Sequence, residues 1–102
     1  MGLEMRDGCE RCGTPLTDGG PAFICSYECT FCADCVESVL HNVCPNCGGG
    51  FVPRPIRPAR NLKGGNFLGK DPASIKVRHR PVDPATHAQF SAAIKTILPH
   101  LR

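Results

Sequence analysis

The sequence predicts a small metal-stabilised α+β fold with much irregular structure, followed by a basic, proline-rich extension that ends in a helix. The chain has 102 residues, and all eight of its cysteines lie between residues 9 and 47. Ten prolines and eleven glycines divide it into short segments, which excludes long helices and large sheets. It has no tryptophan and few large apolar side chains. Because so thin a core rarely folds alone, we expect metal ligation to supply the missing free energy.

The cysteines occur as four close pairs, a spacing typical of metal chelation rather than of a disulfide framework. The pairs are Cys9 and Cys12, Cys25 and Cys29, Cys32 and Cys35, and Cys44 and Cys47. Zinc takes four ligands in a closed structural site, so eight thiolates predict two Zn²⁺ ions. An iron–sulfur cluster also uses four thiolates, although the spacing lacks the usual ferredoxin runs.

Two of the pairs have the form C-x-x-C-G, at residues 9–13 and 44–48. Each predicts a zinc knuckle, a tight turn in which the final glycine adopts the left-handed conformation. Apolar residues at helical spacing predict a helix of about two turns from Cys35 to Val43, packed on the metal sites. The expected small core is formed by Phe23, Ile24, Tyr27, Phe31 and Phe51.

The order of these spacings resembles the cross-braced RING arrangement, with Cys29 where most RING domains carry histidine. In that arrangement pairs one and three share a metal, as do pairs two and four. The resemblance implies one site of Cys9, Cys12, Cys32 and Cys35 and a second of Cys25, Cys29, Cys44 and Cys47. Spacing alone also allows sequential pairing, as in ribbons or treble-clef knuckles. The predicted module is therefore a two-zinc RING-like (cross-brace) or treble-clef module.

A wider resemblance rests on the runs at residues 24–35, 44–49 and 54–59. They are similar to a small bacterial cysteine-rich family of unknown function, number 1272, over about residues 3 to 60. The resemblance implies a bacterial, cytoplasmic zinc-binding protein and supplies no established activity. The sequence is consistent with that compartment, since it shows neither a secretory signal nor an apolar stretch long enough to cross a membrane.

Charge divides the chain near Gly48–Gly50. Residues 1–52 carry two Arg against seven Asp and Glu, a net of −5, whereas residues 53–102 carry ten Lys and Arg against two Asp, a net of +8. We therefore predict a zinc-binding module at 1–52 and a basic extension at 53–102. With eight thiolates and two Zn²⁺ the first half becomes −9 and the whole chain −1, which favours contact between the halves.

The extension begins with alternating prolines that favour polyproline II, in which Arg54, Arg57 and Arg60 would form a column with a spacing of about 9 Å. Three interpretations are open. The column binds phosphates or an acidic protein surface, or the segment is a stiff solvated linker, or the arginines lie against the acidic module of the same chain.

The rest of the extension predicts a short strand at Ile75–Arg78 and a helix from about 84 to 98, with Asp83 as its N-cap. The helix is expected to be amphipathic and to pack on its own zinc module, a second copy or another protein. Its apolar face comprises Phe90, Ile94, Ile97, Leu98 and Leu101. The histidines of the second half lack ligand spacing and are expected at the surface; they are His79, His87 and His100.

The function expected from these features is that of a non-enzymatic, zinc-binding protein-interaction module without a catalytic residue. Its partner would be a protein bound through the arginine column and the terminal helix, and the helix could also join two copies of the chain. One alternative is nucleic-acid binding through the basic half. A second is a RING-type ubiquitin-ligase-like adaptor, but two positions that such ligases use for docking hold Arg11 and Gly48.

Overall fold

A three-stranded antiparallel sheet forms the centre of the cysteine-rich half. The computed structural model describes residues 3–16, 21–75, 79 and 82–102. Strand β1 (Phe23–Ile24) lies between β2 (Thr30–Phe31) and β3 (Val52–Pro53), in the order β2-β1-β3. Phe23 pairs with Phe31 on one side and with Pro53 on the other. The sheet therefore includes the segment where the predicted boundary between the halves lies.

A short helical segment follows β2 and forms the second layer. It consists of α1 (Ala33–Cys35) and a π-helical turn (Val36–Leu40). The predicted helix is thus present, but it begins two residues earlier than expected, because the side chain of Cys32 caps it by accepting from the Cys35 N–H. It ends at Leu40, because His41 and Asn42 take left-handed conformations with φ of 52° and 58°.

The core lies between the sheet and the helical segment. Phe31 and Leu40 are fully buried, and the ring of Phe31 meets that of Phe51 edge-to-face with centroids 5.5 Å apart. Four of the five predicted core residues are buried or packed against the core cluster. The prediction for Tyr27 is wrong, since its side chain is 70% exposed. It lies in the turn between Cys25 and Cys29, and the buried members of that turn are the two cysteines.

A buried ion pair ties the first knuckle to the sheet. Glu10 is 1% exposed, and its carboxylate accepts from the guanidinium of Arg6 and from the backbone N–H of Thr30 in β2. Arg6 also pairs with Glu4. Burial opposes the charge of Arg6, but these two carboxylates raise its pKa above the ordinary value. The first knuckle is therefore held against β2 by charge as well as by its cysteines.

The extension folds back on the cysteine-rich half at several places. In its middle, Ser74 and Arg6 form an isolated parallel bridge, in which the Ser74 N–H donates to the Met5 carbonyl over 2.7 Å. Near its end, helix α2 (Pro84–Ile94) packs on the π-helical turn. Within the predicted strand, Ile75 is exposed, whereas residues 76–78 lie outside the described part of the chain.

Helix α2 begins as the sequence predicts and ends earlier. Asp83 is its N-cap and accepts from the Thr86 N–H over 3.0 Å, with Pro84 in the first turn. The helix ends at Ile94, and a 3₁₀ turn follows at Pro99–Leu101. Among the residues that the structure describes, no helix is both long and apolar enough to cross a bilayer.

The face of α2 that is buried differs from the predicted apolar face. The buried residues are His87 and Ser91, so the expectation of a surface position is wrong for His87. The physical reason is local, because α2 meets the end of the central helical segment, where the imidazole of His87 donates to the Leu40 carbonyl. Four members of the predicted face are between 40% and 66% exposed, namely Phe90, Ile97, Leu98 and Leu101.

Candidate metal centres

The two C-x-x-C-G knuckles have the same backbone. The N–H of Gly13 donates to the Cys9 carbonyl over 2.9 Å, and that of Gly48 to the Cys44 carbonyl over 2.8 Å. The two glycines have φ of +76° and +78°, which confirms the predicted left-handed conformation. Each knuckle therefore brings its two cysteines together through local hydrogen bonds alone.

The remaining four cysteines are placed by the β1–β2 hairpin. Cys25 and Cys29 lie at the two ends of its turn, where the Cys25 N–H donates to the Cys29 carbonyl over 3.2 Å. Glu28 takes a left-handed φ of 66° in this turn. Cys32 and Cys35 follow directly after β2, at the start of the helical segment. The hairpin thus separates these two pairs in space.

The structure brings the first pair to the third and the second pair to the fourth. In cluster I, the Sγ atoms of four cysteines lie within 4.8 Å of one another: Cys9, Cys12, Cys32 and Cys35. In cluster II, the same limit holds for the Sγ atoms of Cys25, Cys44 and Cys47. Cys29 stands outside this group of three, although its buried thiol interacts with those of Cys25 and Cys44. Cluster I thus contains all four residues of the first set that the resemblance implied, and cluster II contains three of the four residues of the second.

The clusters contain thiols in contact rather than disulfides. In cluster I, Cys9 Sγ lies 3.7 Å from Cys35 Sγ, and Cys12 Sγ lies 3.7 Å from Cys32 Sγ. A disulfide bond is about 2.05 Å long, so these sulfur atoms are not bonded. All eight cysteines are free. A set of four sulfur atoms and a set of three could each hold a metal ion.

Hydrogen bonds to sulfur differ between the clusters. In cluster II, three sulfur atoms accept from backbone N–H groups: Cys25 from Tyr27, Cys44 from Asn46, and Cys47 from Gly49, at 3.3 to 3.4 Å. In cluster I, Cys35 Sγ accepts from the guanidinium of Arg11 at 3.6 Å, and Cys12 Sγ lies 3.0 Å from the hydroxyl of Thr14. Cys32 Sγ accepts from the Cys35 N–H at 3.5 Å. Side chains other than cysteine therefore contact two sulfur atoms of cluster I.

Burial makes four of the eight thiols poor anions unless a cation is present. It is the main cause that raises the pKa of Cys29, Cys32 and Cys44, and it raises that of Cys35 to about 12. Two cysteines are contrary cases. The hydrogen bond with Thr14 lowers the pKa of Cys12 to about 6, and backbone hydrogen bonds lower that of Cys25 although burial opposes them. The buried thiolates need a neighbouring positive charge, which a bound metal ion provides.

Arg11 and Thr14 are the site residues that sequence reasoning missed. The hydrogen bond to Cys35 raises the pKa of Arg11 above its ordinary value. The Arg11 Nε atom is buried without a partner among the described residues. A polar residue inside or just after a C-x-x-C motif was the available signal, because such a residue is close enough to donate to a sulfur atom.

The three arginines of the extension lie in different surroundings. Arg54 is buried, and its guanidinium donates to the Arg6 carbonyl over 2.6 Å. Arg57 is half-buried and donates to the carbonyls of Leu3 and Asp71 over 2.7 and 2.9 Å. The side chain of Arg60 is exposed. Contact of this column with a partner stays a prediction. Arg60 is the member of the column whose side chain is exposed and could contact a partner.

Fold and site together define a small α+β protein with two cysteine clusters. A model of the family described as "Protein of unknown function (DUF1272)" matches residues 2–57, more than half of the chain. The chain therefore belongs to this family, as the sequence predicted. It is also 55% identical over 62 residues to an uncharacterised protein of Rhizobium meliloti (strain 1021), R02474, covering 60% of this chain and 74% of that protein. No solved structure matches the chain.

Proposed function

We propose that this protein is a non-enzymatic module that binds two structural zinc ions in cross-braced sites and serves as a protein-interaction unit. The observation that carries the zinc assignment is the sulfur spacing of 3.7 Å in cluster I. With a zinc–sulfur distance of about 2.3 Å, the edge of a regular tetrahedron is about 3.8 Å. Four soft thiolate donors at that spacing favour Zn²⁺ over the hard cations Ca²⁺ and Mg²⁺.

The donor sets support a structural rather than a catalytic role. Four cysteines fill the coordination of zinc and leave no position for water or substrate. Zinc would supply charge compensation for the buried thiolates and a cross-link between the knuckles and the hairpin. The chain's own cysteines would bind the zinc ion, and backbone N–H groups fix the positions of the sulfur atoms of cluster II.

Native mass spectrometry of the full chain tests the metal assignment. We expect two zinc ions per chain, and we expect chelation to remove both together with the folded structure. Substitution by Co²⁺ should produce the intense absorption bands of tetrahedral thiolate coordination for two equivalents of metal. A chain that binds one ion, or that stays folded after full chelation, would contradict the proposal.

The interaction role rests on the exposed part of the extension. Ile56 and Leu62 are 66% and 68% exposed, and Arg60 lies between them in the sequence. Prolines restrict the backbone of this stretch. An ordered segment with exposed apolar and cationic side chains suits a protein partner with an acidic, partly apolar surface. The fixed backbone lowers the entropy that binding would cost.

Affinity capture with matched variants tests the interaction role. We expect a partner retained by the tagged, zinc-loaded protein to be lost from Arg60→Glu and Ile56→Glu. The Lys95→Glu variant should retain the partner, because it changes an exposed charge that is distant in the sequence from residues 56–62. Equal retention by all three variants would contradict this surface. Loss of the captured material after nuclease treatment would favour the nucleic-acid alternative instead.

A further inference from the structure

We propose that the two sites release their metal at different rates, and that cluster I is an exchangeable site from which a competing chelating ligand removes the metal. Cluster II is the retained site. This inference rests on the proposed function, since it requires two zinc sites. The ligand class is a multidentate compound or side-chain set with nitrogen or sulfur donors, because these compete with thiolates for zinc.

The first observation is the exposure of the sulfur ligands. In cluster I, Cys12 is exposed and Cys32 is partly exposed, and their Sγ atoms lie 3.7 Å apart along one edge of the site. In cluster II only Cys47 is exposed. The other three ligands of that cluster are 4%, 2% and 0% exposed, in the order Cys25, Cys29 and Cys44. An incoming ligand therefore meets an open edge at cluster I and a single open sulfur atom at cluster II.

The second observation is the kind of donor that holds each sulfur atom. Backbone N–H groups donate to three ligands of cluster II, so these sulfur atoms cannot leave without a change in the backbone. Cys12 Sγ is held by the exposed Thr14 through its hydroxyl as well as its backbone N–H. The hydroxyl rotates freely, so the Cys12 thiolate can lose this part of its hydrogen bonding without a change of fold.

The third observation is a strap across the loop that carries Cys44 and Cys47. The guanidinium of Arg102 donates to the carbonyls of Asn42 and Gly48 over 2.7 and 3.3 Å. Pro99 packs on Gly50 so closely that a Cβ there would lie 3.0 Å from the proline ring. The C-terminal residues thus hold both ends of the cluster II loop.

Cluster I has open space where cluster II has the strap. A depression beside Cys12 is lined by Arg11, Val82, Asp83 and Pro84, among others. An incoming donor atom would form its bond there as the Cys12 sulfur bond breaks. The released thiolate takes a proton from water, and no electron is transferred. Arg11 stays hydrogen-bonded to Cys35 and compensates part of the negative charge of the cluster as the ligand enters.

Stopped-flow mixing of the zinc-loaded full chain with excess 4-(2-pyridylazo)resorcinol tests the inference through the absorbance of the zinc–dye complex. We expect two phases, each of one zinc ion, with rates that differ at least tenfold. A single phase that releases two ions would overturn the inference and leave the two-site proposal standing. A total of one ion would instead contradict the proposed function.

Variants assign the phases. Thr14→Val should accelerate the fast phase severalfold and leave the slow phase unchanged. Arg102→Ala should accelerate the slow phase severalfold and leave the fast phase unchanged, whereas Lys95→Ala, an exposed control, should change neither. An effect of Thr14→Val on the slow phase, or no effect of Arg102→Ala, would overturn the assignment.

A chemical measurement gives an independent check on the unmodified sequence. Limiting N-ethylmaleimide added to the zinc-loaded protein should label Cys12 and Cys32 first, with release of one zinc ion, as read by peptide mass spectrometry. The buried Cys44 should be labelled at least tenfold more slowly. Labelling of Cys44 at the same rate as Cys12 would overturn the proposed order of release.

Discussion

The Nε2 atom of His87 lies 2.9 Å from the carbonyl oxygen of Leu40, and both residues are buried. A carbonyl oxygen only accepts, so Nε2 carries the hydrogen and donates. Leu40 is the last residue of the helical segment, and its carbonyl also accepts from the backbone N–H of Val43 at 3.0 Å. His87 therefore adds a second hydrogen bond to this carbonyl and joins α2 to the end of the central helical segment, although a surface position was predicted for it.

Replacement of His87 by alanine should destabilise the zinc-loaded protein by about 1 kcal/mol, because it removes one of the two hydrogen bonds that the buried Leu40 carbonyl accepts. His87→Gln should lower the free energy of unfolding by less, since the Gln amide nitrogen reaches a similar position and also donates. Urea unfolding measures both. His100→Ala is the control, because His100 is exposed. An equal loss of stability in all three variants would argue against the hydrogen bond as the cause.

The arginines of the extension should separate into structural and exposed members. Arg54→Met is expected to lower the free energy of unfolding by about 1 to 3 kcal/mol, because it deprives the Arg6 carbonyl of a buried donor. Arg60→Met should change it by less than about 0.5 kcal/mol, as is usual for an exposed residue. Urea unfolding of the two variants compares them directly. Equal stability would mean that Arg54 does not join the two halves.

The left-handed glycine of the second knuckle provides a test of local strain. Gly48→Ala should lower the free energy of unfolding by about 1 to 2 kcal/mol, since a φ of +78° is unfavourable for a residue with a Cβ. Space is not the cause, because the new Cβ would lie an ordinary 3.8 Å from Ile94. Gly48→Asn should cost less, because asparagine tolerates this conformation better.

Gly8→Ala is the matched control for the knuckle variant. Gly8 lacks the left-handed φ, and a Cβ there would come no closer than 3.9 Å to the Thr14 carbonyl oxygen. Unfolding in urea should therefore show little change for Gly8→Ala. A Gly48→Ala protein as stable as Gly8→Ala would contradict the strain argument.

The N-cap of α2 should titrate below the ordinary range for aspartate. The hydroxyl and backbone N–H of Thr86 both donate to Asp83 and lower its pKa. Because the folded pKa lies below the unfolded one, the cap contributes stability above the unfolded pKa and loses it as the pH falls through the folded pKa. Carboxyl ¹³C NMR should show an Asp83 titration midpoint below the ordinary aspartate pKa of about 3.9.

Thr86→Val separates the two donors, because it removes the hydroxyl and keeps the backbone N–H. The Asp83 resonance should then titrate at a higher pH than in the unmodified protein, with part of the lowering retained. An unchanged titration would show that the hydroxyl contributes nothing to the cap.

Features encoded by a few neighbouring residues were predicted correctly. Gly13 and Gly48 are left-handed because a C-x-x-C turn needs that conformation at its end, and Asp83 followed by Pro84 specifies a helix start. Tyr27 shows where such reasoning fails. Its apolar ring suggested a core position, but the two cysteines at the ends of its turn occupy the interior and leave the tyrosine outside.

The sequence by itself determined the clustered cysteines, the two knuckles and the division of charge, because each depends on residue type and short spacing. Only the tertiary structure decided which pairs share a cluster, since Cys9 and Cys35 are brought together across 26 residues by the β1–β2 hairpin. It also decided that α2 buries His87 and Ser91, whereas four members of the predicted apolar face are exposed. That choice depends on contacts with the end of a distant helical segment, where His87 donates to the Leu40 carbonyl, and such contacts cannot be predicted from the sequence of α2 alone.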